Sequence, residues 1–178
     1  CDGLGGTLHN KMLGSFGDIS TLSFYPAHHI TAGEGGACLI QSPMVKKVLQ
    51  SFRDWGKDCW CEPGKDNTCG KRFCYQQGEL PEGYDHKYTF SRIGYNLKAT
   101  DLQASLLVSQ LKKLTFFIER RRHNWQVLRE GLDKYKKYFR FMQPTEFSNP
   151  SWFGFMLMVK ETATFSRREL IDFLESKK

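Results

Sequence analysis

Four of the six cysteines lie in a stretch whose chemistry suits a metal. Cys59, Cys61, Cys69 and Cys74 fall within residues 56–87, which show neither helical nor strand periodicity. Thiolates that are close in sequence can satisfy a soft metal ion without a large protein core. Their spacing matches neither the paired C-x2-C zinc pattern nor the ferredoxin patterns. From these residues alone, a metal or iron–sulfur site, disulfides in an oxidising compartment and unrelated thiols are all open interpretations.

A second group of residues that could take part in catalysis lies between two predicted strands. Residues 23–37 read Ser-Phe-Tyr-Pro-Ala-His-His-Ile-Thr-Ala-Gly-Glu-Gly-Gly-Ala. Short apolar runs on either side predict a strand, a loop, a tight turn over 33–36 and a second strand. His28 would lie in the loop, where an imidazole can accept or donate a proton near neutral pH. His29 and His86 are predicted to be surface histidines.

The elements that must position these residues alternate between strands and helices. Residues 43–54 predict a short helix from their apolar spacing. Thr100 and Gln103 form a capping box, which predicts the start of a long helix that stops at Gly131. Its apolar positions recur at helical spacing: Leu107, Leu111, Leu114, Ile118, Trp125 and Leu128.

The last third of the chain predicts strands followed by one more helix. Residues 139–159 are rich in strand-forming side chains and are broken by Ser-Asn-Pro at 148–150. Ser166 is a candidate cap for a helix that begins at Arg167. Strands that alternate with helices point to an α/β protein.

The positive charge is concentrated in one stretch of the chain. The net charge is +7, and residues 112–140 carry ten basic against three acidic residues. A solvated helix face and a patch for an anionic partner both explain this pattern. A nucleic-acid binder would spread its charge over a face with aromatic residues interleaved, so no nucleic acid is expected. The longest near-apolar run, 152–159, is far below the roughly 20 residues of a membrane helix.

Residues 23–37 closely resemble a signature of the DegT/DnrJ/EryC1/StrS family, sugar aminotransferases that use pyridoxal phosphate. That signature is Ser-Phe-x-x-x-Lys followed by Gly-Glu-Gly-Gly-Ala, and here His28 takes the lysine position. Residues 94–104, Gly-Tyr-Asn-Leu-Lys-Ala-Thr-Asp-Leu-Gln-Ala, resemble the second signature, which precedes the family's long helix. The resemblance covers essentially the whole chain. It implies part of a fold-type I aminotransferase.

The resemblance also implies how the chain is divided. Residues 1–111 would form the C-terminal part of a three-layer α/β/α cofactor-binding domain, with the cysteine loop at 56–87. Residues 112–140 would form a long basic connecting helix. Residues 141–178 would begin a small α+β C-terminal domain. Because the chain starts at Cys1 and ends on an unfinished helical pattern, we expect it to be a fragment.

Histidine at the lysine position changes the chemistry that the resemblance implies. The family's lysine binds the cofactor covalently and moves a proton during transamination. An imidazole cannot form that Schiff base, so the cofactor would be held non-covalently as pyridoxamine phosphate, with His28 as the base. The family contains such a branch, the 3-dehydratases of nucleotide-linked 4-keto-6-deoxy sugars.

One type in this branch acts on CDP-4-keto-6-deoxyglucose and holds a [2Fe–2S] cluster through Cys-x57-Cys-x-Cys-x7-Cys. Cys1, Cys59, Cys61 and Cys69 fill all four positions, with 57, one and seven residues between them. The two cysteines left over are predicted to be packed thiols: Cys38 and Cys74.

The match with this iron–sulfur type implies 3,6-dideoxyhexose synthesis for O-antigen lipopolysaccharide. It also implies an NADH-dependent iron–sulfur flavoprotein reductase as partner and the reducing cytoplasm as location. A sister dehydratase on a dTDP-linked sugar and a pyridoxal phosphate sugar aminotransferase are the alternatives.

The resemblance assigns roles to five further residues. Ser23 would bind the cofactor phosphate, and Asn96 would reach the phosphate bound by the neighbouring subunit of a homodimer. Asp2 stands where the family has a glutamine near the cofactor ring oxygen. Tyr25, which would bind the cofactor, and Phe153, which would line the substrate pocket, resemble pocket residues of the dehydratase branch. Without the motifs, Ser23 is an ordinary strand serine, Asn96 a turn residue and Phe153 a core residue.

Overall fold

The computed structural model of the chain describes residues 2–61 and 64–178 and is mixed α/β in that part. The strands are β1 (Thr7–Leu8), β2 (Lys11–Met12), β3 (Ile19–Ser23), β4 (Gly36–Ile40), β5 (Phe139–Phe141), β6 (Ser148–Asn149) and β7 (Leu157–Val159). The helices are α1 (Pro43–Arg53), α2 (Asp101–Leu111), α3 (Leu114–Gly131) and α4 (Arg167–Glu175), with 3₁₀ turns at His86–Tyr88 and Asp133–Tyr135. Within the described residues, no helix is both long and apolar enough to cross a membrane.

The described strands form three small antiparallel sheets. The first has the order β2-β1-β6, and the other two are the pairs β3-β4 and β5-β7. In the β3-β4 pair, Ser23 lies opposite Gly36, so the loop that carries His28 begins and ends at neighbouring positions. The pairing of β6 with β1 places Ser148 opposite Leu8. This pairing brings the segment after β6 beside the N-terminal segment.

The helix ends predicted from the cap at Thr100 and the stop at Gly131 are confirmed, but the long helix is broken in the middle. The connecting helix expected over 112–140 stops at Gly131, because a 3₁₀ turn and strand β5 follow it. Thr100 and Gln103 make the predicted capping box, and the helix series ends at Gly131. The prediction of one continuous helix through 112 and 113 was wrong, because α2 ends at Leu111 and α3 begins at Leu114. The amide of Lys113 bonds the carbonyl of Gln110, three residues back, at 3.0 Å. This 3₁₀-type turn separates the two helices.

The predicted break at 148–150 was also wrong, because Ser148 and Asn149 form strand β6. Their partner is β1, some 140 residues earlier in the chain, and local sequence carries no information about such a distant partner. The predicted start of the last helix is confirmed. Ser166 caps α4 in a capping box with Glu169.

The buried apolar side chains form small clusters. Phe24, Ile30 and Ala32 of the loop after β3 are buried together, and side chains of α2 and α3 pack on them. Farther along α3, Trp125 stacks on Trp152 with ring centres 4.1 Å apart and planes 1° from parallel. The accessible surface is 13105 Å², whereas a compact monomer of this mass would expose about 8,900 Å². The described chain therefore packs around local clusters and leaves α2 without a buried residue.

A close crossing of two backbone segments closes the base of the cysteine loop. The amide of Trp55 bonds the carbonyl of Tyr95 at 2.9 Å, and the amide of Asp58 bonds the carbonyl of Thr89 at 2.9 Å. A Cβ on Gly94 would lie 2.1 Å from the amide nitrogen of Gly56. Only glycine fits there, which gives the Gly-Tyr-Asn motif a structural role beside its predicted one.

Candidate functional site

The loop after β3 holds His28 through its own backbone. The amide of His28 bonds the carbonyl of Tyr25 at 3.0 Å in a tight turn. The carbonyl of Phe24 accepts the hydroxyl of Thr31 at 2.9 Å and the amide of Ala32 at 2.9 Å. Phe24 is buried under this loop, so the apolar side chain anchors the turn that presents the imidazole.

Asp2 is the acidic partner of His28. The Nδ1 atom of His28 lies 2.9 Å from Oδ1 of Asp2, with the two side chains 16% and 54% exposed. This is an ion-pair distance, although Nδ1 makes no hydrogen bond of good geometry within the described residues. Of the two neutral tautomers, the carboxylate favours the one with the proton on Nδ1. Asp2 was predicted to face the cofactor ring oxygen, and the structure adds this contact with the predicted base.

Two aromatic rings flank the His28 imidazole. The ring centre of Phe153 lies 5.2 Å away and that of Tyr25 lies 6.5 Å away, nearly perpendicular to the imidazole. Phe153 and Asp2 also line a cavity of about 600 Å³ between the N-terminal segment and the segment after β6. The predicted residues Asp2, Tyr25, His28 and Phe153 therefore lie together, and two of them, Asp2 and Phe153, line the cavity.

Two neighbouring arginines on α3 connect the segments around this site by donating hydrogen bonds to their backbone carbonyls. The guanidinium of Arg121 donates to the carbonyls of Trp152 at 3.2 Å, Phe153 at 3.1 Å and His28 at 3.5 Å. Arg122 donates to the carbonyls of Gly5, Asn149 and Pro150 at 3.0–3.2 Å.

Sequence analysis missed this pair, because a basic run on a helix favoured a solvated face or an anion patch. The available signal was their spacing, because Arg121 and Arg122 lie four and three residues before the apolar Trp125 and so share its side of the helix.

His29 is buried directly beside His28, so its prediction as a surface histidine was wrong. It is 3% exposed, and its two ring nitrogens make no hydrogen bond of good geometry among the described residues. Burial, followed by the positive charge of Arg121, holds the pKa of His29 below its ordinary value. The ring is therefore neutral at pH 7, and it packs near Phe153 at 6.4 Å between ring centres.

Ser23 and Asn96 lie in different surroundings. Ser23 is the last residue of β3, and its hydroxyl oxygen accepts the amide of Tyr25 at 3.4 Å. Asn96 is exposed at the base of the cysteine loop, where its backbone bridges Asp54. The structure thus places Ser23 near the His28 turn and Asn96 on an exposed surface beside the loop.

The three loop cysteines of the predicted cluster lie close enough for their thiols to interact. The thiols of Cys59 and Cys69 both contact the thiol of Cys61. The pKa of the Cys61 thiol is lowered to about 7, and the largest cause is a hydrogen bond with the Thr68 side chain. Burial raises the pKa of the Cys59 thiol. Cys1, the fourth predicted ligand, lies outside the described residues.

The other cysteines differ from their prediction. Cys38 and Cys74 were predicted to be packed, but both are exposed. Cys38 lies on an open strand pair, and Cys74 lies in the aperiodic loop, so neither has a core to enter. All five described cysteines are free thiols.

The surroundings of the thiols suit an anionic group. Cys59 and Cys61 line a cavity of about 360 Å³ whose walls carry more positive than negative side chains. The cationic members are Lys57, Lys65, Arg72, Lys87 and Lys98, and the carboxylates are Asp54 and Asp66. In residues 2–61 and 64–178, no group of three or more His, Cys, Asp or Glu side chains is arranged to hold a metal ion. The residue types and charges fit a thiolate-bound cluster, but the described side chains are not arranged around one.

The fold is shared with pyridoxal phosphate enzymes of known structure. The GDP-4-keto-6-deoxy-D-mannose 3-dehydratase of Escherichia coli, solved with bound hydrated pyridoxal phosphate, superposes with a TM-score of 0.80 and 26% identity. The match covers 99% of this chain and 43% of that one. The class of protein is therefore the pyridoxal phosphate-dependent aminotransferase fold, as predicted.

Within this class, the chain belongs to the DegT/DnrJ/EryC1/StrS aminotransferase family, whose model matches residues 1–178. It is 54% identical over 178 residues to the lipopolysaccharide biosynthesis protein RfbH of Salmonella typhimurium. It is 55% identical over 177 residues to the dTDP-4-dehydro-2,6-dideoxy-D-glucose 3-dehydratase of Saccharopolyspora spinosa. The matches cover 100% and 99% of this chain, which spans 41% and 38% of those relatives.

Proposed function

We propose that this chain is part of a pyridoxamine phosphate-dependent 3-dehydratase of nucleotide-linked 4-keto-6-deoxy sugars. The observation that carries the proposal is His28, which occupies the family's lysine position and whose Nδ1 lies 2.9 Å from Asp2, a residue that lines a cavity of about 600 Å³. The two relatives above 50% identity and the E. coli structure support it, since two of these three are named as 3-dehydratases of nucleotide sugars.

The side chains around His28 are of the chemical types that could bind the cofactor. Ser23 offers a hydroxyl whose O–H can bind a phosphate oxygen, and Tyr25 and Asp2 would contact the ring from the same side of the loop. Asn96 would reach the phosphate in a second subunit, so the functional unit would be a homodimer. When bound, pyridoxamine phosphate would supply an amine for the sugar's 4-keto carbon and a ring that accepts an electron pair.

His28 would be the base that takes up the proton lost from the bound cofactor in this chemistry. With a proton on Nδ1 facing the Asp2 carboxylate, the neutral ring presents the lone pair of Nε2 as the base. The same nitrogen can return that proton to the leaving C3 hydroxyl. Asp2 would keep the ring in the orientation and tautomer that this exchange needs.

The walls of the site would keep the reacting groups in place. Phe153 and Tyr25 lie beside the imidazole, and a sugar bound against these rings would exclude water from it. Arg121 holds the backbone of Phe153 and the backbone of His28 with one guanidinium. A rigid link between base and pocket wall favours the geometry in which the substrate reacts.

We also propose that the cysteine loop binds a [2Fe–2S] cluster through Cys59, Cys61, Cys69 and Cys1. Such a cluster would supply single electrons, and a 3-deoxy product requires two electrons beyond the dehydration. An NADH-dependent reductase would deliver them. Thiolate ligation requires a reducing compartment such as the cytoplasm.

The sugar nucleotide is proposed as CDP-4-keto-6-deoxyglucose, in a route to 3,6-dideoxyhexoses of lipopolysaccharide O-antigen. The cysteine spacing supports this choice, and RfbH is named as a lipopolysaccharide biosynthesis protein. The second candidate is a dTDP-linked sugar, which is favoured by the 55% identity to a dTDP-sugar 3-dehydratase.

The deciding experiment assays the complete protein with CDP-, dTDP- and GDP-linked 4-keto-6-deoxy sugars after loading with pyridoxamine phosphate. We expect release of the C3 oxygen as water and exchange of solvent isotope into the sugar, fastest with the CDP-linked sugar. Amino transfer to the sugar, together with the absorption band of a lysine-bound cofactor, would instead show an aminotransferase. Fastest turnover with the dTDP-linked sugar would select the second candidate.

The cluster is tested separately with Cys61→Ser, since serine oxygen ligates iron more weakly than thiolate in such sites. We expect loss of the visible iron–sulfur absorption and of NADH-coupled 3-deoxy sugar formation, while isotope exchange into the sugar survives. Cys38→Ser, which changes an exposed thiol outside the loop, is the matched control. Wild-type rates of both reactions in Cys61→Ser without iron would refute the cluster.

A further inference from the structure

One residue of the wall of the 600 Å³ cavity has a backbone conformation that its own side chain disfavours. Trp152 has a φ of 48°, in the left-handed region where a Cβ crowds the following carbonyl oxygen. Glycine adopts this region freely, whereas a bulky residue in it is strained. Trp152 lines the cavity and directly precedes Phe153. Because a strained residue persists only where its surroundings hold it, its contacts show what the strain serves.

One face of α3 holds Trp152 in this conformation. The ring of Trp125, which is buried, stacks on the ring of Trp152 with centres 4.1 Å apart. Nη1 of Arg121 donates to the carbonyl of Trp152 at 3.2 Å. Arg121 and Trp125 are four residues apart and therefore lie on the same face of the helix. The stack restrains the side chain of Trp152, and the hydrogen bond restrains its backbone.

The aromatic rings on either side of this turn contact different parts of the molecule. Phe155 packs on Trp125 with ring centres 5.8 Å apart, so positions 152 and 155 both contact the same ring of α3. Phe153, between them, has its ring centre 5.2 Å from that of the His28 imidazole. The backbone at position 152 sets the direction in which the chain enters Phe153. The strained conformation therefore places this one ring beside His28 and the cavity.

We propose that Trp152 is a positioning residue of this site: its left-handed backbone, held by the stack on Trp125, directs Phe153 against His28. The inference rests on the proposed function, in which His28 is the base and Phe153 lines the substrate pocket. Trp152 acts through Phe153 and is assigned no contact with the reacting atoms. Because the stack holds the turn in advance, the pocket wall has a fixed place beside the base before the sugar binds.

This role predicts an unusual order of activity for substitutions at position 152. Trp152→Ala removes the stack but keeps a Cβ, so the backbone should leave the left-handed region and Phe153 should turn away from His28. The loss of alignment should lower kcat by about ten- to a hundredfold. Trp152→Gly also removes the stack, but glycine keeps the left-handed region accessible, so its kcat should exceed that of Trp152→Ala by about fivefold or more. A tryptophan that acted only by packing would give glycine no advantage over alanine.

A second pair of variants tests the stack from the side of α3. Trp125→Ala should lower kcat as Trp152→Ala does, because residue 152 keeps its Cβ and loses its support. When Trp125→Ala is combined with Trp152→Gly, the support is no longer needed, so kcat should rise above that of Trp125→Ala alone. Thermal melting of each variant shows whether its fold is intact, and the comparison at position 152 stands without the Trp125 variants.

The experiment measures exchange of solvent isotope into the preferred sugar nucleotide by the complete protein loaded with pyridoxamine phosphate. NMR of the same protein with isotope-labelled histidine reports the Phe153 ring directly, because an aromatic ring shifts the resonances of protons near it. We expect this shift of the His28 resonances to be lost in Trp152→Ala and kept in Trp152→Gly.

The matched controls are Phe147→Ala and Phe147→Gly, which should both keep the kcat of the wild type. Phe147 also has a left-handed backbone, with a φ of 59°, and it stacks on the ring of His9. It is exposed and lies outside the cavity wall as the described residues define it.

Two results would overturn the role of Trp152. One is a kcat of Trp152→Gly no higher than that of Trp152→Ala. The other is an unchanged His28 resonance in Trp152→Ala, because then the turn does not place Phe153. Absence of isotope exchange in the wild-type protein would instead refute the proposed function, and the NMR comparison would still decide whether Trp152 directs Phe153 to His28.

Discussion

The region around His28 and the cysteine loop around His86 each position a histidine, but they do so through different kinds of contact. Around His28, the contacts are mainly to the backbone: arginines of α3 donate to carbonyls, and a turn fixes the imidazole. In the loop, side chains hold one another, as in the ion pair of Arg72 with Asp85 and the rings around His86. The first region depends on secondary structure, and the second depends on the identity of individual side chains.

This difference predicts how the two regions respond to change. Backbone contacts survive many substitutions, because every residue has a carbonyl. Side-chain networks fail when one member is replaced, and exposed ion pairs weaken with added salt. Substitutions of the residues that supply carbonyls around His28 should therefore be tolerated, whereas the loop should be sensitive to both sequence and ionic strength.

The largest expected effect is at the centre of the His28 region. His28→Asn should abolish C3 dehydration, since a general base contributes about 10²- to 10⁴-fold. Iron content and cofactor binding should stay near wild type, because the loop does not depend on this side chain. Isotope exchange into the sugar and cofactor fluorescence measure the two. His123→Asn, an exposed histidine on α3, is the control; normal turnover by His28→Asn would contradict the assignment.

The next largest effect concerns the stability of the backbone crossing at the base of the cysteine loop. Gly94→Ala should destabilise the protein by about 3 kcal/mol, because the new Cβ would lie 2.1 Å from the amide of Gly56. Urea unfolding measures this free energy. Gly131→Ala is the matched control, since nothing lies within 4 Å of its Cβ position. Equal stability of the two variants would show that the crossing is not tightly packed.

A smaller effect tests the hydrogen bonds from Arg121 to the carbonyls of Phe153 and His28. Arg121→Met should lower kcat by about ten- to a hundredfold with little change in KM, because the wall and His28 lose their common donor. Steady-state kinetics with the preferred sugar nucleotide measures it. Arg168→Met on α4, whose side chain is 83% exposed, should leave both parameters unchanged. A loss confined to KM would indicate a role in substrate binding instead.

The smallest effect concerns pH. Since burial and Arg121 lower the pKa of His29, the unfolded chain takes up a proton more readily than the folded one as the pH falls below about 6.5. Stability should therefore fall from pH 7 towards pH 5, and His29→Gln should remove part of that slope. Urea unfolding across this range gives the slope, with His123→Gln as control. An unchanged slope in His29→Gln would show that the ring titrates normally.

Local patterns were sufficient for much of the fold. The capping boxes at Thr100 and Ser166 depend on residues three apart, so the starts of α2 and α4 could be predicted. The strand pair around the glycine-rich turn could be predicted for the same reason. The residues gathered around His28 were assigned from the family motif, and the structure brings Asp2 and Phe153 to it.

Features that depend on distant partners could not be predicted. Strand β6 exists because β1 pairs with it, and the burial of His29 and His86 depends on segments that are remote in sequence. Arg121 and Arg122 looked like solvent-exposed charge, since nothing in their neighbourhood reveals the carbonyls that they bind. The break between α2 and α3 follows from a single turn that leaves the apolar spacing almost unchanged.

The crossing at Gly56 and Gly94 closes a segment of 37 residues, 57–93, that contains the cysteines of the loop. Since the crossing already holds the two ends together, the cost of a longer loop is only its closure entropy, about 0.6 kcal/mol for each doubling of length. Segments of quite different length can therefore occupy this position without disturbing the strands and helices around His28. A scaffold that binds a cofactor could in this way gain or lose a metal-binding segment in one genetic step.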